Sequence, residues 1–224
     1  MAQLIKGCIV YLAEGIFRYP GFIDTHVRTG KKLIKYISTI CLLFCASVQA
    51  DDYLRPIIDF ELLDQNNVVH TFEQYAQKEY LVLYVNGVGC PISRIAVPDF
   101  IKVQEQFADE SMSFVMFNSS IQDSIEKVAN EVTQFGIPFT VLKDADQSLG
   151  KALGIERTAE IFVIDTSTKQ TVYRGPINDK LGYETQKNNA SKNYLADALS
   201  ATLAGESFNL DNIPESKGCL IAIF

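Results

Sequence analysis

The chain has 224 residues, of which 47% are hydrophobic, and its formal net charge at pH 7 is −7. This length and composition suit one globular domain with short extensions and exclude a chain that is disordered throughout. The acidic balance excludes the basic surface that is typical of nucleic-acid-binding proteins, and two histidines, His26 and His70, are too few for a histidine-rich metal site. We therefore expect no nucleic-acid partner, no cofactor and no metal ion.

The first 50 residues have the layout of a secretory signal peptide. A basic patch at residues 31–35 precedes an uncharged, mostly apolar run at residues 36–44, and small residues follow up to Ala50. This order predicts export, to the periplasm, with cleavage near Ala50. An uncleaved leader is the alternative, and it would be the only route to a membrane. Residues 1–30 precede the signal either as an unusual extension or because translation starts near Val27.

Apolar runs and turn residues predict alternating strands and helices after residue 56. Strands are expected at residues 57–63, 68–70, 81–85, 113–117, 138–142, 160–164 and 169–174. Helices are expected at residues 71–76, 91–107, 121–135, 147–153 and 194–203. Because helices interleave with strands and the last two strands form a hairpin, we predict an α/β fold with a central mixed β-sheet flanked by helices on both faces.

Three segments follow from this pattern. Residues 1–50 form the N-terminal extension and signal peptide, residues 51–205 form the domain, and residues 206–224 form a C-terminal tail that carries Cys219. Cleavage of the leader removes three of the five cysteines and leaves Cys90 and Cys219. An even pair of cysteines in an oxidising compartment indicates a redox pair or a structural disulfide.

Cys90 is the strongest candidate for chemistry. It follows a buried strand and two glycines, Gly87 and Gly89, and it precedes Pro91, which suits the first position of a helix. Free backbone N–H groups and the helix dipole at such a position stabilise a thiolate. Arg94 lies one helical turn further on and would add a positive charge. The alternatives are that Cys90 is a small buried hydrophobic residue and that Arg94 is an ordinary exposed arginine.

The order of elements resembles the thioredoxin-like superfamily. Within it, the chain is similar to the redoxins, the alkyl hydroperoxide reductase/thiol-specific antioxidant family, through residues 60–64, 89–93, 138–144, 149–157, 160–165 and 173–175. It also resembles a secreted subgroup whose tail carries a Gly-Cys-apolar-Ile motif, here residues 218–221. The resemblance implies a thiol–disulfide oxidoreductase with antioxidant activity. Its substrates would be a protein thiol or disulfide, or a peroxide, and its reductant an external thiol.

Three positions depart from the family pattern. Ser93 stands where thioredoxins have a second cysteine, so a disulfide within that motif is impossible, but its hydroxyl could donate a hydrogen bond to the Cys90 thiolate. Gly87 stands where peroxiredoxins have threonine or serine. Thr158 and Ala159 replace the dipeptide that ends in the family's cis-proline, so we expect a trans bond or a reshaped loop there.

Cys219 has three possible roles. It can resolve an oxidised Cys90, pair with another chain or remain an unreactive thiol. The tail is long enough for Cys219 to meet Cys90. The 219 − 205 = 14 residues beyond Gly205 can span about 45 Å, whereas the radius of gyration of the domain is about 15 Å. The first role makes the chain a thiol oxidoreductase with Cys90 as nucleophile and Cys219 as resolving cysteine. The other possibilities are a one-Cys peroxidase and a non-catalytic binding or assembly module.

Overall fold

The computed structural model describes residues 53–224, apart from residue 109 and residues 183–184. The predicted signal peptide and its cleavage site therefore lie outside the described residues. Within the part of the chain that is described, no helix is long and apolar enough to cross a membrane.

Strands and helices alternate along the described chain. The strands are β1 Glu61–Asp64, β2 Val69–Thr71, β3 Tyr80–Val85, β4 Met112–Asn118, β5 Val141–Lys143, β6 Ile161–Asp165 and β7 Thr171–Gly175. The helices are α1 Phe72–Tyr75, α2 Pro91–Gln106, α3 Ile125–Phe135, α4 Ser148–Leu153 and α5 Tyr194–Leu203.

The described strands form one seven-stranded sheet in the order β2-β1-β5-β4-β3-β6-β7. Strand β4 runs parallel to both β3 and β5, whereas β6 is antiparallel to β3 and β7, and β1 is antiparallel to β2 and β5. The sheet is therefore mixed, as predicted. Strand β3 lies inside the sheet, and Leu81–Val85 are completely buried. Burial of each such side chain contributes about 1.5–3 kcal/mol.

Helices cover both faces of the sheet, which confirms the predicted architecture. Alternate residues of β3 point to opposite faces. Val82 and Tyr84 belong to the apolar cluster beneath α2, α3 and α5, and Leu83 belongs to the cluster that includes α1 and α4. Phe100 of α2 and Leu149 of α4 are fully buried at the centres of these two contacts. Because β3 is held from both sides, the loop that follows it starts from a fixed point.

Three predicted elements begin three or four residues later than expected. Strand β1 begins at Glu61 rather than residue 57, and β5 begins at Val141 rather than residue 138, because Pro138 has no N–H to donate to a neighbouring strand. Helix α3 begins at Ile125 because the Ser124 hydroxyl caps it by accepting a hydrogen bond from the Lys127 N–H at 3.3 Å. Ile121 therefore precedes the helix and is 53% exposed.

Candidate active site

Cys90 occupies the N-cap of α2, as predicted. It comes directly after the loop that leaves β3, and Pro91 takes the first helical position. Gly89 adopts a φ of 78°, a left-handed conformation that other residues seldom take, so glycine is needed for this turn. The Cys90 side chain is buried, with 4% of its surface exposed. The loop therefore presents one sulfur atom at the helix start with little access from solvent.

Two carboxylates hold this loop by its backbone. The N–H of Val88 donates to Asp123 at 3.0 Å, and the N–H of Gly89 donates to Glu131 at 3.0 Å. Asp123 is itself fixed by the amide of Asn118 at 2.8 Å. Burial raises the pKa of Glu131, although the Gly89 N–H opposes that shift. Because both carboxylates bind backbone N–H groups, they position the Cys90 loop without touching the sulfur.

Hydrogen-bond donors of the domain and of the tail lower the pKa of Cys90. Burial alone raises the pKa of the Cys90 thiol, but bonds from the Cys219 thiol, the Thr158 hydroxyl and the N–H groups of Ser93 and Cys219 outweigh it, and the net pKa lies below the ordinary value. The Thr158 oxygen lies 3.1 Å from the sulfur and also accepts the Cys219 N–H at 2.9 Å, so its own hydrogen is free to point at Cys90. This arrangement favours the thiolate, which is the nucleophilic form.

The C-terminal tail brings Cys219 to this site through backbone pairing. The N–H of Thr158 donates to the carbonyl of Cys219, and the N–H of Ile221 donates to the carbonyl of Glu156, both at 2.9 Å. Between them, Arg157 and Leu220 form an antiparallel bridge. The tail thus lies along the segment that precedes β6. The sequence showed that the tail is long enough to reach the site but did not predict where it docks.

The end of the tail is anchored by Gln147. Its amide donates to the carbonyl of Ala222 at 2.7 Å, and its side-chain oxygen accepts the N–H of Phe224 at 2.9 Å. Ile221 and Ile223 pack against the apolar cluster that includes α1 and α4. Contacts on both sides of Cys219 therefore fix its position.

The two thiols differ in exposure and in acidity. Cys219 is exposed, whereas Cys90 is buried. Partial burial, the hydrogen bond to Cys90 and the charge of Cys90 raise the pKa of Cys219 to about 11. Cys90 is therefore the more acidic of the two thiols and the first to ionise as pH rises. Both cysteines are free in this structure.

Ser93 reaches Cys90 through a different atom from the one we predicted. Its hydroxyl lies 3.2 Å from the hydroxyl of Tyr84, which in turn donates to the Ser93 carbonyl at 2.7 Å. The backbone N–H of Ser93, rather than its hydroxyl, contributes to the lowered pKa of Cys90. The hydroxyl instead contacts the buried Tyr84 of β3.

Arg94 also points away from the sulfur. Its guanidinium group donates to the Gly89 carbonyl at 3.3 Å, lies 3.8 Å from the Glu131 carboxylate and covers the ring of Phe135 at 4.5 Å. The buried carboxylate on α3 attracts the arginine, and the Cys90 side chain points to Thr158 on the other side. The contacts recorded for Arg94 therefore stabilise the loop, and a role of its charge towards the Cys90 thiolate stays a prediction.

Thr158 is the site residue whose role sequence reasoning missed. The sequence identified residues 158–159 as the position of the family's cis-proline, and the expectation of a trans, reshaped loop is confirmed. The described residues contain no cis peptide bond, and Ala159 has a φ of 59°. The Ala159 N–H donates to the Val85 carbonyl at 2.8 Å, which ties the loop to the end of β3. The Thr158 hydroxyl is thereby held over Cys90.

A cleft of about 280 Å³ opens beside the two sulfur atoms. Its walls are the Cys90 loop, residues 120–123 and the tail, with both Cys90 and Cys219 among the lining residues. This volume admits a small molecule, and the docked tail closes the side along Thr158. Small reactants can therefore reach the buried sulfur from this cleft.

Comparisons with known proteins agree with this geometry. A family model described as Redoxin matches residues 49–186, more than half of the chain. No curated protein matches the sequence. A hypothetical protein from Sinorhizobium meliloti 1021 is similar in structure, with a TM-score of 0.63 and 26% identity over 75% of this chain and 92% of that one.

Two further solved structures share the fold. An uncharacterized conserved protein from Geobacillus kaustophilus has a TM-score of 0.61 and 22% identity, covering 76% of this chain and 91% of its own. Peroxidoxin BcpB from Mycobacterium tuberculosis has a TM-score of 0.50 and 19% identity, covering 66% and 94%. Together with the sheet order, these matches confirm the predicted thioredoxin-like fold.

Proposed function

The chain belongs to the Redoxin family, and we propose that it is an exported thiol oxidoreductase in which Cys90 is the nucleophile and Cys219 the resolving cysteine. The observation that carries the proposal is that one hydroxyl contacts both cysteines beside a shared cleft: Thr158 Oγ1 lies 3.1 Å from the Cys90 sulfur and accepts the Cys219 N–H at 2.9 Å. A reactive thiolate and a protonated partner thiol in contact are the two components that a disulfide-forming cycle needs.

The first step is attack by the Cys90 thiolate on a small oxidant in the cleft. With a hydroperoxide, the sulfur takes the terminal oxygen, the O–O bond breaks, and a proton completes the products, a Cys90 sulfenic acid and an alcohol or water. With a small disulfide, the sulfur forms a mixed disulfide and releases one thiolate. Either way the sulfur of Cys90 is oxidised. The hydroperoxide is fully reduced by two electrons in this step, whereas reduction of the small disulfide is complete only when its second thiol leaves in the next step.

The second step is attack by Cys219 on the oxidised Cys90 sulfur. Water leaves from a sulfenic acid, or a second thiol leaves from a mixed disulfide, and the Cys90–Cys219 disulfide forms. Before the first step, the negative charge of Cys90 and its hydrogen bond with Cys219 raise the pKa of Cys219. Oxidation of Cys90 removes both effects. The pKa of Cys219 therefore falls after the first step, and Cys219 becomes a better nucleophile for the second. An external thiol then supplies two electrons and restores both cysteines.

Export is part of the proposal and rests on the sequence of residues 31–50. With the leader cleaved after Ala50, the protein would act in the periplasm and belong to the secreted redoxins with a Gly-Cys-Leu-Ile tail. N-terminal sequencing of the protein recovered from the expressing cell tests this. Asp51 as the first residue is expected, and an intact N-terminus on protein from the cytoplasm would contradict export.

Turnover of cysteine variants tests the chemistry. The full chain with Cys8, Cys41 and Cys45 replaced by serine keeps only the two site cysteines, and consumption of hydrogen peroxide is followed with dithiothreitol as reductant. Cys90→Ser should abolish consumption. When hydrogen peroxide or cystine is added without dithiothreitol, Cys219→Ser should react once and leave a sulfenic acid or mixed disulfide at Cys90.

Two other results would contradict the proposal. Full turnover by Cys219→Ser would identify a one-Cys peroxidase. Absence of consumption by the parent chain, with unchanged binding to a partner protein in Cys90→Ser, would identify a binding or assembly module.

A further inference from the structure

We propose that Gly87 is a positioning residue for Cys90. Because Gly87 has no side chain, it leaves the space that the methyl group of Thr158 fills, and this packing turns the Thr158 hydroxyl to the sulfur. The inference rests on the proposed function, in which Cys90 is the nucleophile. Position 87 is one of those at which the chain departs from the family pattern, and the proposed cycle gives it no task.

The backbone does not require glycine at position 87. Gly89, in the same loop, has a φ of 78°, which other residues seldom adopt. Gly87 is not among the residues with a positive φ, so alanine there would cause no backbone strain. Alanine would even favour folding, because it restricts the unfolded chain. The reason for glycine at this position therefore lies in the packing around it.

Packing against Thr158 excludes a side chain at position 87. Gly87 is buried, and a Cβ added there lies 2.4 Å from the Cγ2 methyl group of Thr158 but 3.7 Å from the Thr158 Cβ. The first distance is a severe overlap, whereas the second is an ordinary contact. Apart from the adjoining residues of the loop, no other described atom comes within 4 Å of the added Cβ. The overlap is thus confined to a single methyl group.

Neither backbone is free to move away from the other. The residue before position 87 is Asn86, whose N–H donates to the carbonyl of Phe117 in β4 at 2.8 Å. The residue after Thr158 is Ala159, whose N–H donates to the carbonyl of Val85 in β3 at 2.8 Å. Both segments are therefore tied to the central sheet. A side chain at position 87 is accommodated most easily by rotation of the Thr158 side chain.

This rotation moves the Thr158 hydroxyl away from Cys90. The Cβ of Thr158 carries the hydroxyl, which lies 3.1 Å from the sulfur, the methyl group, which faces position 87, and a hydrogen. Side chains adopt staggered rotamers, and only one other rotamer turns the hydrogen towards position 87. That rotamer places the methyl group at the sulfur and the hydroxyl on the third side. Any side chain at position 87 therefore replaces the hydroxyl at Cys90 with a methyl group.

The hydroxyl affects the reaction through the acidity of Cys90. Its hydrogen bond is among the causes that lower the pKa of the Cys90 thiol despite burial. Gly87 and Thr158 also both line the cleft beside the sulfur, so the change occurs where an oxidant approaches. Loss of the hydroxyl should raise the pKa of Cys90 and reduce the fraction of thiolate at neutral pH.

A double-variant cycle tests the packing argument. In the full chain that retains only the two site cysteines, alkylation of Cys90 by iodoacetamide is measured against pH by peptide mass spectrometry. Gly87→Ala should raise the midpoint by about one pH unit, because a hydrogen bond to a charged group is lost. Thr158→Ser keeps the hydroxyl and should leave the midpoint near that of the parent chain. The double variant should recover the parental midpoint, because serine has no methyl group to meet the added Cβ.

Thr158→Val is the matched control for loss of the hydroxyl, because valine keeps the shape of threonine. Its midpoint should rise as far as that of Gly87→Ala. An unmoved midpoint in either variant would overturn the inference, and so would a double variant that keeps the raised midpoint or does not fold. If Gly87→Ala alone does not fold, a folded double variant with the parental midpoint still supports it. The midpoints do not depend on turnover, so a parent chain that consumes no peroxide would count against the proposed function alone.

Discussion

A single methyl group at Gly218 would push the tail away from Thr158 and so tests whether docking brings the two sulfur atoms together. In Gly218→Ala the added Cβ lies 1.8 Å from the carbonyl oxygen of Thr158, whereas ordinary contacts begin at 3.4 Å. The tail must therefore move by about 3.4 − 1.8 = 1.6 Å. The loop cannot move instead, because the N–H of Ala159 ties it to Val85 at the end of β3.

This displacement breaks the two hydrogen bonds between Thr158 and Cys219, which are each 2.9 Å long. At about 1 kcal/mol net for each bond, the docked position loses about 2 kcal/mol, which lowers its population about thirtyfold. Since the disulfide forms only from the docked position, its rate of formation after oxidation of Cys90 should fall by the same factor.

The assay measures how fast the linked Cys90–Cys219 peptide appears. The reduced protein is mixed with one equivalent of hydrogen peroxide and quenched at intervals with acid and an alkylating reagent. Gly205→Ala is the control, because an added Cβ there meets no atom within 4 Å even though the φ of Gly205 is 71°. Equal rates for Gly218→Ala and Gly205→Ala would refute the argument that the docked tail aligns the cysteines.

Three further substitutions have definite expected outcomes. Cys219→Ala removes a thiol that donates to Cys90, so the pKa of Cys90 should rise, and the midpoint of its alkylation rate against pH should move upward; an unmoved midpoint would contradict that contact. Proline at position 159 cannot adopt a φ of 59° and has no N–H for the 2.8 Å hydrogen bond to Val85. Denaturant unfolding of Ala159→Pro should therefore show a free energy of unfolding about 3 kcal/mol lower, whereas Ala159→Gly should change it little. Burial raises the pKa of Glu131, so the contribution of this side chain to stability is present below the ordinary glutamate pKa and is lost as pH rises through the raised value. The parent protein should therefore lose more thermal stability between about pH 4 and pH 7 than Glu131→Gln does. An identical pH profile for the two proteins would contradict a buried carboxylate there.

Local sequence signals were sufficient to predict the position of Cys90. Two glycines after an apolar strand, followed by proline, specify a strand–loop–helix turn through backbone preferences alone, and the structure has that turn. The fold class followed from the same kind of signal, because strand and helix periodicity are local properties. The boundaries of β1 and β5 were less accurate, since hydrogen-bond pairing with other strands decides where a strand begins.

The direction of a side chain could not be predicted, because it depends on distant partners. Sequence analysis placed both Arg94 and the Ser93 hydroxyl near the sulfur. In the structure Arg94 contacts Glu131 on α3 and the Ser93 hydroxyl contacts Tyr84. Thr158 is 68 residues from Cys90 and carries no local signal of contact with it.

The sequence also did not predict where the tail docks. It docks largely through backbone N–H and carbonyl groups, which every residue type offers. Side-chain contacts with Gln147 and Thr158 and the apolar packing of Ile221 and Ile223 add to this. Gly218 was the one available signal, because only glycine fits against the Thr158 carbonyl.

The central claim is that Cys90 and Cys219 form one redox-active pair, and the mass of the oxidised protein tests it most directly. The reduced chain with only these two cysteines is treated with one equivalent of peroxide in the absence of reductant and digested without reduction. We expect a product lighter by two hydrogens and a single cross-linked peptide that joins Cys90 to Cys219. A product that gains oxygen on Cys90 while Cys219 stays free, or a disulfide that joins two chains, would contradict it.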